Sequence, residues 1–296
     1  MEQSRLKNYA ELIVKCGLNV QKGQEVIIRC GLDQPDFVTL VVEECYKCGA
    51  ERVKVEWSYM PVTKLNYDYR SIESLSEVTE VEKAEWQRKV DKLSCLLWLD
   101  SDDPDGLNGT DSGKISKANM ARYPIIKPYR DSLENRYQWC IAAVPGKEWA
   151  KKIYPDISWE DGVEKLWNDI LYCSRVSEDP LKEWEVHNKN LANRCKFLND
   201  YKFERLEYKS GNGTDFSVGL NPIGVFMAGG ELTLGSKIYF NPNIPSEEVF
   251  TTPLRGKAEG KVVATKPLSY QGKLIENFWF RFENGKVVEL HADRNQ

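Results

Sequence analysis

The chain has 296 residues, enough for one large domain or two ordinary ones. Hydrophobic residues make up 41% and charged residues 29%, a balance that excludes a disordered or fibrous chain. A formal charge of −4 argues against a nucleic-acid binder, and no apolar run approaches the roughly 18–20 residues of a membrane span. Because Met1 to Lys15 also lacks a signal-peptide core, the expectation is a soluble cytoplasmic protein that engages neither nucleic acid nor membrane.

In chain order, Glu25 to Cys30 (EVIIRC) predicts the first strand, after a turn at Lys22-Gly23. A helix follows from about Asp36 to Cys48, with Phe37, Leu40, Val41 and Cys45 at helical spacing. Gly49 ends it, and Arg52 to Trp57 (RVKVEW) supplies the next strand, a βαβ pattern that implies a parallel pair. A helical stretch over roughly Val78 to Val90 leads into Leu93 to Leu99 (LSCLLWL), an apolar run suited to a strand covered on both faces. Tyr137 to Val144 (YQWCIAAV) repeats that signature. Strands alternating with helices predict an α/β fold, an open and mostly parallel sheet flanked by helices.

Ser158, with Asp161 three residues on, forms a capping box for a helix lined by Val163, Leu166, Trp167, Ile170 and Leu171. Asp179-Pro180 starts another, with Leu181, Trp184, Leu191, Cys195 and Leu198 as its stripe. After Tyr201 the texture changes to short strands at 203–208, 215–220, 237–240, 261–264, 277–282 and 286–291, separated by glycine-containing turns such as Asn284-Gly285. This predicts an amino-terminal α/β domain over 1–201 and the beginning of a strand-rich α+β domain over 202–296.

Most familiar chemistries fail on inspection. The eight cysteines are spread through apolar segments and read as free, mostly buried thiols, and the Cys45/Cys48 pair reads as structural, because it ends a helix instead of starting one. Only two histidines occur: His187 on the apolar face of its helix, read as a core residue, and His291 near the end of the sequence. Gly211-Asn212-Gly213 begins like a dinucleotide fingerprint, but Phe216 stands where the third glycine belongs. The acidic run Asp100 to Asp111 fits a calcium loop at Asp103, Asp105 and Gly106, yet Ser112 replaces the closing glutamate. What remains is Asn243 to Pro253 (NIPSEEVFTTP). Successive residues of an extended segment face opposite ways, so one of Glu247 and Glu248 can turn inward as an oxygen ligand for a divalent ion, while a surface acidic pair is the plainer reading.

At this segment the chain resembles the aminopeptidase T/aminopeptidase S/PepS family of metallo-aminopeptidases, peptidase family M29. The likeness extends to Leu96-Leu97-Trp98-Leu99 before Asp102-Asp103-Pro104, to Leu166-Trp167, Arg175-Val176 and Asp179-Pro180, and to Trp184 with His187. Leu198-Asn199, Gly213 to Leu220 (GTDFSVGL) and Gly229-Gly230-Glu231 complete it over essentially the whole chain. The resemblance implies a metal-dependent aminopeptidase acting on peptide substrates through water activated by two divalent metal ions, zinc or cobalt, in a homodimer. It further implies that one metal ligand comes from the EEVFT segment, here Glu248 with Glu247 as the near alternative, and that the others lie downstream of this sequence. The chain is therefore expected to be a carboxyl-terminally truncated member, with no assignable catalytic base, unable to hold the ions and inactive alone. The alternative from another class is a non-catalytic α/β protein for small-molecule binding or dimerisation, with a ligand near Asp102 at the strand ends.

Overall fold

A computed structural model describes residues 2–101, 103–270 and 273–296 of the chain. The first helix, α1 (Gln3–Leu12), continues into a π-helical stretch at Ile13–Leu18. Tyr9, Leu12, Ile13, Val14 and Leu18 are all fully buried, so packing rather than helix propensity holds this start.

The βαβ pattern follows. β1 (Glu25–Gly31), α2 (Pro35–Lys47) and β2 (Arg52–Ser58) match the expected elements closely. Pro35 at the first helical turn and Gly49, in the left-handed region at φ +89°, punctuate α2. Two helices that the periodicity did not predict come next, α3 (Met60–Tyr69) and α4 (Ile72–Ser76), before α5 (Glu80–Lys92), which Thr79 caps, and β3 (Cys95–Asp100). A 22-residue helix, α6 (Ser112–Leu133), capped by Asp111, precedes β4 (Trp139–Ala143). Three more helices follow, α7 (Lys147–Ile153), α8 (Trp159–Cys173) and α9 (Pro180–Tyr201). Ser158 Oγ accepts from the Asp161 amide, and Asp179 Oδ1 accepts from the Lys182 amide, so both expected caps are made.

Beyond α9 the chain is strand-rich. β5 (Arg205–Lys209), β6 (Asp215–Leu220) and β7 (Met227–Ala228) are followed by β8 (Glu231–Leu232), β9 (Tyr239–Phe240) and β10 (Asn243–Ile244). Then come β11 (Val249–Phe250), β12 (Pro253–Val263), β13 (Leu268–Tyr270), β14 (Lys273–Ile275), β15 (Trp279–Glu283) and β16 (Lys286–His291).

The chain divides into two compact units that interleave along the sequence: Met1–His187 with Gly230–Ser246, and Asn188–Gly229 with Glu247–Gln296. In the first, five parallel strands take the order β10-β4-β3-β1-β2. Val26, Ile28, Cys95, Leu97, Leu99, Cys140 and Ala142 share one face and join the main core beneath α1, α2 and α8. There Tyr9 stacks on Phe37 at 5.4 Å, and Phe37 meets Trp167 edge-on at 5.1 Å. The opposite face carries Arg29, Trp98 and Trp139, all only partly covered. In the second unit an antiparallel sheet runs β16-β15-β12-β6-β5. Its β15–β16 hairpin turns on Asn284 and Gly285 at φ 51° and 74°, the paired positive angles of a tight two-residue turn.

Candidate functional site

The segment holding the paired glutamates is anchored on its amino-terminal side. The Asn241 amide donates to the Gly17 carbonyl at 2.9 Å, and the Ile141 amide donates to the Pro242 carbonyl at 2.8 Å. β10 then extends the parallel sheet beside β4, with Ile244 1% exposed. The next fixed point is the Ser246 carbonyl, which accepts a hydrogen bond from His187 Nε2 at 2.7 Å. Because a carbonyl can only accept, this nitrogen carries the proton. His187 also meets Trp184 edge-on at 5.3 Å and is buried, as expected of a core histidine, but it also serves as a tether for the returning chain.

Glu247 and Glu248 follow immediately, outside any regular element, and both are exposed. The chain then pairs as β11 with β7, and the Asn221 amide donates to the Thr252 carbonyl at 3.0 Å. An inward-turned carboxylate is thus not what the fold makes of this pair: a coil between two short strands replaces the continuous extended segment on which the alternation depended. In the second unit, a cavity of about 960 Å³ is bordered by Asn199, Asn221, Thr251, Lys257 and Glu259 among others. Thr251 of the EEVFT segment lines it, while Glu247 and Glu248 do not.

The remaining candidates stand apart from one another. His291 is exposed on β16, where Nε2 lies 2.9 Å from Asp293 Oδ1 and the ring stacks on Trp279. Hydrogen bonds from Asn277 and His291 hold the Asp293 carboxyl below its usual range. In the acidic loop, Asp103 accepts from the Asp105 amide at 2.9 Å, and Asp105 pairs with Lys152 at 2.6 Å, which lowers its pKa. Asp102 lies outside the described residues. All eight cysteines are free. Burial pushes the Cys45 and Cys48 thiols above their ordinary value, the opposite of a redox-active pair.

Sequence reasoning missed a different region. On the sheet face away from the main core, two cavities of about 690 and 660 Å³ share Arg29, Trp98, Tyr137 and Trp139 as lining. The signal was present: an arginine inside EVIIRC and a tryptophan inside LSCLLWL are unusual in strands covered on both sides.

A parallel α/β unit joined to an antiparallel, strand-rich unit is the architecture against which relatives can be weighed. Residues 2–296 match the family described as thermophilic metalloprotease, M29. Aminopeptidase AmpS of Bacillus subtilis (strain 168) is 35% identical over 294 residues, 99% of this chain and 71% of that protein. Aminopeptidase PepS of Streptococcus thermophilus is 35% identical over 297 residues with the same coverage, and aminopeptidase T of Thermus thermophilus is 33% identical over 293 residues. The solved structure of wild-type AmpT from Thermus thermophilus superimposes with a TM-score of 0.88 at 32% identity, covering 98% of this chain and 71% of that one.

The fold and these likenesses define an enzyme of the hydrolase class. The chain belongs to the M29 family of metalloproteases. Membership favours the enzyme over the non-catalytic binding or dimerisation protein.

A metallopeptidase family implies divalent metal ions, which need several oxygen or nitrogen ligands converging on one point. Among the described residues no group of three or more histidine, cysteine, aspartate or glutamate side chains is placed to hold one. Two exposed carboxylates and two separately engaged histidines do not fit a complete metal centre. Among the described residues no helix is long and apolar enough to cross a membrane.

Proposed function

We propose that this chain is part of a metal-dependent aminopeptidase that releases amino-terminal residues from peptides, working as a homodimer in the cytoplasm. The reading is carried by the family match over residues 2–296, together with 33–35% identity to proteins named aminopeptidases. Its nucleophile is water activated by two divalent ions, zinc or cobalt, and this chain's contribution to their ligands is Glu248, with Glu247 as the neighbouring alternative. The assignment rests on the resemblance of the EEVFT segment to the family's, and both carboxylates lie exposed at the surface. By itself the 296-residue chain turns over no peptide. Its two histidines are held by the Ser246 carbonyl and by Asp293, and the described carboxylates do not converge.

The test is a pair of proteins assayed with leucine p-nitroanilide and added zinc or cobalt. One is the chain as given; the other is a chimera that appends the part of Thermus thermophilus aminopeptidase T outside the matched region. The expected result is no turnover by the first and metal-dependent turnover by the second. Activity in the unextended chain would overturn its inactivity, and a folded, inert chimera would overturn the aminopeptidase reading.

A further inference from the structure

The cavity of about 660 Å³ on the far face of the parallel sheet lies within the range of small-molecule sites. Its lining is unusual for a gap in packing. Trp86, Trp98, Tyr137 and Trp139 supply apolar faces, and Lys89 and Glu231 supply opposite charges, both half-buried.

Two neighbouring charges on this face are paired, Arg29 with Glu56 at 2.8 Å and Lys54 with Glu85 at 2.8 Å, and the cavity's other charged residues, Arg130 and Glu134, are exposed to solvent. Among the described residues neither Lys89 nor Glu231 forms an ion pair, so they stand further apart than the 4.0 Å at which two charges would be joined. The Lys89 ammonium instead lies 5.0 Å from the centre of the Trp86 ring, and burial with the nearby Arg29 guanidinium holds its pKa below the usual lysine value. Burial pushes the Glu231 carboxyl up. Each group therefore has its charged form disfavoured where it sits, and an opposite charge brought from outside relieves that cost. The Tyr137 hydroxyl makes no hydrogen bond among the described residues and adds a donor to the same cavity.

A lone anion would satisfy Lys89 and crowd Glu231, and a lone cation would do the reverse. A molecule carrying both charges satisfies the two together. We propose that this cavity binds a free α-amino acid as its zwitterion, with the carboxylate at Lys89, the ammonium at Glu231 and an apolar side chain against Trp98 and Trp139. Arg29 closes one side of the site: its Nε is taken by Glu56, and its guanidinium carbon lies 5.7 Å from the Trp98 ring centre. This goes beyond the aminopeptidase reading and does not rest on it.

The experiment uses the metal-free 296-residue chain, with L-phenylalanine as probe, followed by calorimetry and tryptophan fluorescence. N-acetyl-L-phenylalanine lacks the ammonium charge, and L-phenylalaninamide lacks the carboxylate. L-phenylalanine is expected to bind, and each blocked analogue to bind about tenfold or more weakly, the scale of one lost charge-assisted hydrogen bond. Glu231→Gln should abolish the preference over the N-acetyl compound alone, and Lys89→Met the preference over the amide alone. Unchanged thermal unfolding of both variants serves as the folding control, because each removes a charge without an ion-pair partner. Absence of L-phenylalanine binding at millimolar concentration overturns the proposal, as does equal binding of all three compounds. An analogue preference unmoved by either substitution overturns the placement of the two charges.

Discussion

At the scale of single residues, Glu248 and the buried thiols invite opposite expectations. Glu248 is exposed, so Glu248→Ala should leave stability within about 0.5 kcal/mol, as surface changes do. In the chimera with the aminopeptidase T segment, the same change should weaken zinc binding by at least the roughly 10–100-fold that loss of even an outer partner costs. Metal analysis after dialysis checks it; unchanged zinc content moves the role to Glu247 or removes it from the segment. The thiols act on stability instead. Burial raises Cys16 from 9.0 to about 12 and also raises Cys45, Cys95 and Cys140. A raised folded pKa stabilises the protein below the unfolded value, and that stability is lost as pH climbs toward the folded one. Urea unfolding should therefore show stability falling from pH 9 upward, and Cys16→Ser should flatten part of that fall between pH 9 and 12.

At the scale of elements, what the sequence disclosed and what it hid follow one physical line. Elements with strong periodicity and local punctuation were legible: β1 and α2 between Gly23 and Gly49, β2 just after Gly49, α8 behind its Ser158 cap, and the hairpin on Asn284-Gly285. The cap is testable, since Ser158→Ala should cost about 1 kcal/mol in urea unfolding. Helix α6 was hidden because Pro124 and Pro128 read as breakers, yet both lie inside it. Helix α3 buries none of its residues and so has no apolar stripe to detect. The site shows the same limit. The glutamate pair could be found, because a short motif is local, and its exposure agrees with the plainer reading of a surface acidic pair; the coil that replaces an extended segment could not, because that depends on β10 pairing with β4 and β11 with β7. His187 lay where its helix placed it, but its carbonyl partner is 59 residues away. That bond predicts that His187→Leu, leaving the Ser246 carbonyl without its donor, lowers unfolding free energy by about 1–3 kcal/mol. A loss near zero would mean that water replaces the imidazole.

At the scale of the whole molecule, the division of the chain decides how it comes apart. A single boundary at 201/202 treats the sequence as two consecutive blocks, whereas the compact units exchange segments, and Gly230–Ser246 belongs with the first. The reason is energetic. Ile244 is 1% and Phe240 2% exposed, so residues 239–244 contribute apolar burial and strand pairing to the parallel unit. The second unit is poorer in such burial: all six residues of β16 are exposed, including Val287, Val288 and Leu290 at 45–47%. Regions with few buried apolar contacts open at the lowest free energy and are cut first. Limited proteolysis should therefore cut first within 247–296 and leave a persistent fragment that retains β10, with its end beyond Ser246. Mass spectrometry of the fragment separates the two divisions. A product ending near 201 would show that β10 peels from β4 readily and that the first unit folds without it, and uniform resistance across 247–296 would show that the strand-rich unit is as firmly held as the parallel sheet.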